Sequence, residues 1–227
     1  FSMQKNLKAA ILAALLAAPA VSFAQEAEAS NFSWNAGIVS DYVFRGVSQS
    51  SKDVAFQAGV DYAFGDSGFY AGAWGSNVDF DITGGPNIEL DAYVGYNADL
   101  DDTFNIDVML TRYTYQGSNI GNGDYNELIT KLAMNDIATL TVGYTNDYSN
   151  TGENVTYVNL GNSWDLGNEY SLNAGFGRTF ADFGDYNDWN VGVSKTFGAL
   201  EFGLNYYDTN LNFNASDSVV LSVKVGG

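Results

Sequence analysis

From Ser33 almost to its end, the chain alternates between apolar and polar residues with a period of two. This period belongs to a β-strand that has one apolar and one polar face. In the clearest segment the apolar set is Ile88, Leu90, Ala92, Val94 and Tyr96, and the polar set is Glu89, Asp91, Gly95 and Asn97. Because no segment has helical periodicity of this quality, the sequence predicts an all-β protein.

Twelve such segments can be placed along the chain. We predict them at about 33–44, 54–64, 69–80, 88–97, 104–114, 125–134, 138–148, 155–164, 170–180, 187–197, 200–208 and 217–225. Most have the ~9–11 residues that a tilted strand needs to cross a bilayer. Longer polar links, beginning with 45–52, alternate with short turns, beginning with 65–67. This alternation predicts an antiparallel, up-and-down barrel of about twelve strands with both termini at the short-turn end.

The distribution of aromatic residues and charges favours a barrel in a membrane. On the apolar faces, aromatic residues cluster towards the strand ends, which predicts two interfacial belts, with Tyr42, Phe44, Phe80 and Tyr148 in the belt beside the long loops. The acidic residues fall mostly on the opposite face or in connections. A soluble, lipocalin-like barrel would have its apolar face inside, and it would ordinarily need about eight strands.

The first 24 residues have the pattern of a secretory signal peptide. Lys5 and Lys8 precede an apolar run over 9–21, and Ser22-Phe23-Ala24 has small residues at the positions that a signal peptidase requires. A spanning helix needs ~20 apolar residues, so an N-terminal anchor is the weaker alternative. We therefore predict a signal peptide at 1–24 and an outer-membrane β-barrel domain at 25–227.

The predicted inner face is acidic. The chain has 9 basic and 27 acidic side chains, a formal net charge of −18, which argues against nucleic acid as a partner. A water-filled bore with such walls would favour cations. The residues predicted to line the pore are Asp41, Asp61, Glu89, Asp91, Asp107, Glu127, Lys131, Asp147 and Glu201.

Pairing the strands about their turns brings Asp91, Asp107 and Lys131 together at middle depth. Two interpretations remain open for this cluster. It could form a selectivity constriction, or it could be an internal salt-bridge cluster that stiffens a narrow barrel.

Four basic residues, Arg45, Lys52, Arg112 and Arg178, lie near the long-loop end. Arginine can bind phosphate oxygens through two hydrogen bonds, so these residues are candidates for contact with lipopolysaccharide. Interfacial cations without a specific partner are the alternative. Arg45 could instead point into the lumen and pair with an acidic residue.

The chain contains neither histidine nor cysteine. This composition excludes Ser-His and Cys-His catalysis and the usual nitrogen and sulfur metal ligands. A carboxylate pair of the glycosidase type is possible in principle, but the acidic residues are spread along the strands. Asp79–Asp81 could bind calcium, although the spacing is not that of an EF-hand. We expect no enzyme activity, no cofactor and no metal site.

Several stretches resemble a known family. They are Ser40-Asp41-Tyr42-Val43-Phe44-Arg45-Gly46-Val47-Ser48-Gln49-Ser50, then residues 56–64, 68–80 and 89–96. In these the chain resembles the TorF-family porins of Gram-negative bacteria, and the likeness weakens towards the C-terminus. The resemblance implies an outer-membrane, pore-forming barrel, without an established substrate. Such barrels usually end in an aromatic residue that the assembly machinery recognises, whereas this chain ends Val225-Gly226-Gly227.

Two functions fit these observations best. The first is a porin-like channel for passive diffusion of small neutral or cationic solutes, and the second is a structural or adhesive barrel with an occluded lumen. For either, we expect outer-membrane lipid, lipopolysaccharide and the outer-membrane assembly machinery as partners. Because the predicted lumen has no ladder of basic residues, uptake of acidic oligosaccharides is disfavoured.

Overall fold

The computed structural model describes residues 31–119, 123–211 and 217–227. The predicted signal peptide at 1–24 lies outside these residues. Strand pairing joins twelve strands into one closed antiparallel barrel, which confirms the predicted fold class and strand number. The described part of the chain contains no helix whose length and apolarity would let it span a bilayer.

Twelve strands form the barrel wall, and two short ones form a hairpin inside the first connection. The hairpin strands are β2 (Val43–Phe44) and β3 (Val47–Ser48). The wall strands are β1 (Phe32–Val39), β4 (Ala55–Ala63), β5 (Phe69–Asn77), β6 (Ile88–Asp99), β7 (Phe104–Gln116), β8 (Tyr125–Met134), β9 (Ala138–Tyr148), β10 (Glu153–Gly167), β11 (Tyr170–Ala181), β12 (Tyr186–Phe197), β13 (Leu200–Thr209) and β14 (Ser218–Gly226).

Each wall strand pairs with its neighbours in the chain, and β1 pairs with β14 to close the ring. Closure leaves no strand edge, as a sheet in hydrocarbon requires, because lipid cannot satisfy unpaired backbone groups. We call the end that carries the connection between β1 and β4 the upper end. The connections at the lower end are short, for example 135–137 and 198–199.

The outer surface of the wall is apolar. Phe56 is 63% exposed and Leu110 is 50% exposed, while the residues next to them in sequence face inward. Other large exposed side chains of this surface include Leu90, Leu128, Phe176, Leu204 and Leu221. The buried residues, by contrast, include many charged and polar side chains. This inversion of a soluble core requires lipid outside the barrel and rules out the lipocalin-like alternative.

The first strand is shorter than predicted. We expected it to continue to Phe44, with Tyr42 and Phe44 in the upper aromatic belt, but β1 ends at Val39. Residues 40–54 form what we call the first loop, and its part from 41 to 50 folds into the barrel, where Tyr42 is 3% exposed and Phe44 is half-buried. Phe80 and Tyr148 were also expected in that belt, and they too pack against the buried cluster of the interior.

A charge on the lipid-facing surface should be most costly at middle depth. Leu110 lies near the middle of β7, whereas Ile88 begins β6 at the upper end. We expect Leu110→Arg to lower the free energy of unfolding by about 2–4 kcal/mol and Ile88→Arg by no more than about 1 kcal/mol. Guanidinium titration in lipid vesicles, followed by tryptophan fluorescence, measures both. Equal losses would contradict the assigned depth.

Candidate functional site

The interior of the barrel is the candidate functional site, and it contains most of the residues predicted to line a pore. All of those in the following set are less than 10% exposed: Asp41, Glu89, Asp91, Asp107, Glu127, Lys131 and Glu201. Asp61 is half-buried and accepts a hydrogen bond of 2.6 Å from the hydroxyl of Tyr93. Asp147, also half-buried, accepts one of 2.7 Å from the amide of Gly152 and so holds the turn after β9.

The first loop enters the lumen as a tight β-hairpin. Arg45 and Gly46 connect β2 to β3 with φ angles of 49° and 77°. Two consecutive positive φ angles are typical of a type I′ turn, whose twist matches that of the paired strands. This turn brings Arg45 to the tip of the hairpin, which points away from the strands that carry the loop.

The tip of the hairpin binds the far wall of the barrel. Arg45 Nη2 donates hydrogen bonds of 2.9 and 2.8 Å to the two carboxylate oxygens of Glu127 on β8. The guanidinium also lies over the rings of Phe44 and Tyr157, at 4.6 and 4.3 Å from their centroids. The side chains of Arg45 and Glu127 are 9% and 0% exposed. The first loop therefore crosses the lumen and narrows it.

The charge of Arg45 is secured by its partner. Burial by itself would lower the pKa of the guanidinium, but the Glu127 carboxylate together with the nearby Tyr113, Tyr125 and Tyr157 outweighs burial and raises that pKa above its ordinary value. The ion pair also has both of its groups hydrogen-bonded, since Tyr113 donates a bond of 3.1 Å to Glu127. Buried ion pairs need such additional bonds to offset the loss of hydration.

The base of the first loop is held by hydroxyl groups around Asp41. This carboxylate accepts hydrogen bonds of 2.6 Å from Ser48 and 2.7 Å from Ser218, the first residue of β14. Ser50 donates to the same carboxylate at 3.3 Å and accepts one of 2.9 Å from the amide of Tyr42. The loop is thus fixed both at its base and at its tip.

Glycine provides the space that the hairpin needs. A methyl group at Gly143 on β9 would lie 2.8 Å from Glu127 Oε1 and 3.0 Å from Arg45 Nη2. A methyl group at Gly46 would lie 2.7 Å from the Cβ atom of Asp188 on β12. Any larger residue at either position would push the hairpin away from the wall.

Tyrosine side chains fill much of the remaining lumen and bind its acidic groups. Each pairing joins one tyrosine hydroxyl to one carboxylate, at distances of about 3 Å. The pairs are Tyr70 with Asp107 at 3.0 Å, Tyr113 with Glu127 at 3.1 Å, Tyr115 with Glu89 at 3.0 Å and Tyr157 with Asp188 at 3.1 Å. The lumen is therefore lined by tyrosine and carboxylate together, rather than by acidic residues alone.

The strand register corrects the predicted cluster of Asp91, Asp107 and Lys131. Asp107 does lie directly across from Lys131 on β8. On its other side, however, it faces Asn97, and Asp91 faces Tyr113. Asp91 is six residues from Asn97, or about 20 Å along β6 at ~3.4 Å per residue. The prediction failed because it placed the turn between these strands too close to Asp91.

The structure places the four candidate lipopolysaccharide contacts in different environments. Arg45 is removed from this set, since its guanidinium is bound inside the barrel to Glu127. Arg112 and Arg178 remain at the outer surface, where they pair with Asp124 at 3.4 Å and Asp185 at 3.0 Å. Lys52 is exposed in the first loop and donates a hydrogen bond of 3.3 Å to the carbonyl of Asp217.

Neither the hairpin nor the inward tyrosines were predicted from the sequence. The hairpin has a recognisable pattern, since Arg45-Gly46 separates Val43-Phe44 from Val47-Ser48, and a two-residue link with glycine is a hairpin signature. The inward tyrosines could have been found from the two-residue period, because Tyr93 lies on the same face of its strand as Glu89 and Asp91. The sequence pattern predicts lipid contact for the aromatic residues, whereas a buried tyrosine can fill space and bind a carboxylate at once.

The sequence matches a family of bacterial proteins. The model of a family described as "Bacterial protein of unknown function (Gcw_chp)" matches residues 24–224. A sequence comparison with curated proteins finds no match.

Solved structures of porins have a similar fold. The KdgM porin superposes with a TM-score of 0.55 at 9% identity over 86% of this chain and 96% of that one. The outer membrane protein Omp33 of Acinetobacter baumannii gives 0.52 at 9% identity, over 86% and 97%. The NanC porin gives 0.50 at 12% identity, also over 86% and 97%. This likeness shows that the chain shares the barrel fold of these proteins.

The ion pair at the hairpin tip should protect the bond between Arg45 and Gly46 from trypsin. Glu127→Gln keeps the shape of the side chain but leaves the guanidinium without its counter-charge, and breaking a buried pair in this way costs about 3–5 kcal/mol. We expect this cut to form at least about tenfold faster in the variant than in the wild type, as measured by mass spectrometry of timed digests.

Glu201→Gln is the matched control, because Glu201 is also buried in the lumen but lies across from Lys224. It should leave the cut at Arg45 as slow as in the wild type. Equal rates of this cut in all three proteins would show that Glu127 does not hold the hairpin.

Proposed function

Because the chain belongs to the bacterial family Gcw_chp and has the fold of outer-membrane porins, we propose that it is a porin-like channel for passive diffusion of small solutes. The observation that carries this proposal is the closed barrel with lipid-facing apolar residues outside and charged residues inside. We also propose that the chain is a TorF-family porin, as its resemblance to that family in residues 40–50 implies.

We propose that the permeant solutes are neutral or cationic. Acidic side chains outnumber basic ones in the lumen, and a narrow aqueous path between low-dielectric walls strengthens the potential of its charges. Cations should therefore be concentrated in the bore and anions should be excluded. Acidic oligosaccharides would meet few basic partners there.

The first loop would set the width of the path. Its tip contacts β8 and β10, which lie across the ring from β1 and β4. Solutes would have to pass between the hairpin and the wall, so the loop would act as the constriction of the channel. Among the described residues, four luminal carboxylates are bound by tyrosine hydroxyls rather than gathered in a catalytic pocket, and we propose that the protein is not an enzyme.

One observation favours a second function. The hairpin is fixed at both ends, and the Glu127 side chain beneath its tip is fully buried. A barrel closed permanently in this way would serve as a structural or adhesive protein of the outer membrane.

We propose the same lipid contacts for both functions. Arg112, Arg178 and Lys52 at the upper rim would contact the phosphates of lipopolysaccharide.

Shortening the hairpin should widen the path. Replacing residues 43–48 with Gly-Gly removes the tip and leaves all twelve wall strands intact. We expect discrete conductance steps from the refolded wild type in planar bilayers, and steps at least about twice as large from the shortened variant.

The outcomes of this experiment separate the two functions. A silent wild type with a conducting shortened variant would favour the occluded barrel. If neither protein conducts, the channel proposal fails.

Ion selectivity should depend on the luminal acidic residues. Asp107→Asn removes a buried charge and leaves its cross-strand neighbour Lys131 in place. We expect the ratio of potassium to chloride permeability, from reversal potentials in a salt gradient, to fall by at least about twofold. Asp66→Asn, at an exposed lower turn, is the control and should leave the ratio unchanged. An unaltered ratio in Asp107→Asn would contradict selectivity based on luminal charge.

A further inference from the structure

Glu89 and Asp91 form an acidic pair inside the barrel that differs from the other buried carboxylates. Both are on the inward face of β6, two residues apart, and they are 2% and 6% exposed. Residues two apart in a strand point to the same side. Two carboxylates are thus held near each other in a place that is shielded from water.

Three other buried acidic residues have basic neighbours. Glu127 is bound to Arg45, and Asp107 and Glu201 face Lys131 and Lys224 across the sheet. Directly opposite residues in a sheet have Cβ atoms about 5 Å apart, so these charges balance each other. Three of the luminal acidic groups are therefore compensated by cations of the protein itself.

The cross-strand neighbours of the pair bear no charge. Glu89 lies between Ser76 on β5 and Tyr115 on β7. Asp91 lies between Trp74 and Tyr113 on the same two strands. These neighbours provide hydroxyl groups and aromatic rings but no cation, so the sheet places two negative charges together without a counter-charge beside them.

Each carboxylate has an oxygen without a partner. Tyr115 donates to Glu89 Oε1 at 3.0 Å, but Glu89 Oε2 and Asp91 Oδ1 have no hydrogen-bond partner among the described residues. Leaving an acceptor unsatisfied in a buried site costs about 1–3 kcal/mol, and more when it is charged. These two unsatisfied oxygens point to a ligand between the carboxylates.

We infer that Glu89 and Asp91 together bind a hard metal cation of the calcium type beneath the first loop. Carboxylate and hydroxyl oxygens are the ligands that such cations prefer, and water can complete the coordination shell. The described residues contain no cluster of three or more acidic side chains that could hold a metal, so the protein would supply two carboxylates and water the rest. This inference goes beyond the proposed channel and would hold for an occluded barrel as well.

The position of the pair gives such a cation a structural effect. Tyr42 of the first loop packs edge-on against Trp74, with ring centroids 5.4 Å apart, and Trp74 lies directly across from Asp91. A cation bound to the pair would neutralise the negative charge of the wall that this part of the first loop contacts. It would also occupy the acidic surface that other cations meet as they pass the hairpin.

Terbium luminescence tests the site without requiring conduction. Tb³⁺ replaces Ca²⁺ at oxygen sites, and it emits when a nearby tryptophan is excited. In refolded wild type in detergent micelles we expect saturable emission that Ca²⁺ displaces. In Glu89→Gln and in Asp91→Asn the affinity should fall by roughly tenfold or more, because each loses one charged ligand.

Two control variants test whether the emitting ion is bound to Glu89 and Asp91. Glu201→Gln removes a buried luminal carboxylate that has a lysine neighbour, and it should bind Tb³⁺ as the wild type does. Trp74→Phe should abolish most of the tryptophan-sensitised emission while Ca²⁺ affinity, measured by calorimetry, is kept. Retained electrophoretic heat-modifiability shows that each variant is folded.

Tb³⁺ binding tests the cation site, and conductance tests the channel, so the two can fail separately. Emission that is absent in the wild type, or unchanged in both Glu89→Gln and Asp91→Asn, would overturn the cation site and would mean that the pair is neutralised by a proton. A conducting protein that binds no Tb³⁺ would leave the channel proposal intact. A silent protein that binds Tb³⁺ would refute the channel alone.

Discussion

Hydrocarbon around the barrel cannot form hydrogen bonds, and the rest of the structure depends on this constraint. Every backbone group at the depth of the bilayer must find its partner within the protein, which a sheet achieves only by closing on itself. Closure in turn divides each strand into a lipid-facing and an inward-facing set. The two-residue period of the sequence is the direct consequence of that division.

Closure also decides where the charges go. Carboxylates excluded from lipid must lie in the interior, where each of them needs a basic side chain or a hydrogen-bond donor as a partner. The protein uses arginine or lysine for some, as with Arg45 and Glu127, and tyrosine hydroxyls for others, as with Tyr115 and Glu89. The aromatic rings fill the space between these groups, so one residue type both packs the lumen and satisfies its acceptors.

The sequence was sufficient for the wall but not for what lies inside it. Alternation along a strand is a local property, and it gave the twelve strands and the inward positions of residues such as Glu89 and Asp107. Register is less local, because a turn displaced by a few residues moves Asp91 about 20 Å from Asp107. The ion pair between Arg45 and Glu127 joins residues 82 apart in the chain, and no periodicity links them.

The first loop was the least predictable part for a related reason. Its residues alternate well enough to continue β1, and Tyr42 and Phe44 are aromatic residues that suit a lipid interface. Only the Arg45-Gly46 pair, with its positive φ angles, distinguishes a hairpin from a longer strand. Whether such a hairpin turns inward depends on contacts with strands far along the chain.

The hydrogen bond between Asp41 and Ser218 has a consequence for the maturation of the protein. Asp41 lies two residues after the first strand, and Ser218 begins the last. The attachment point of the loop is therefore complete only when the two ends of the sheet have met. Until β1 and β14 have paired, the hairpin lacks one of its anchors. A partly assembled barrel would therefore have a wider and more hydrated lumen than the finished one.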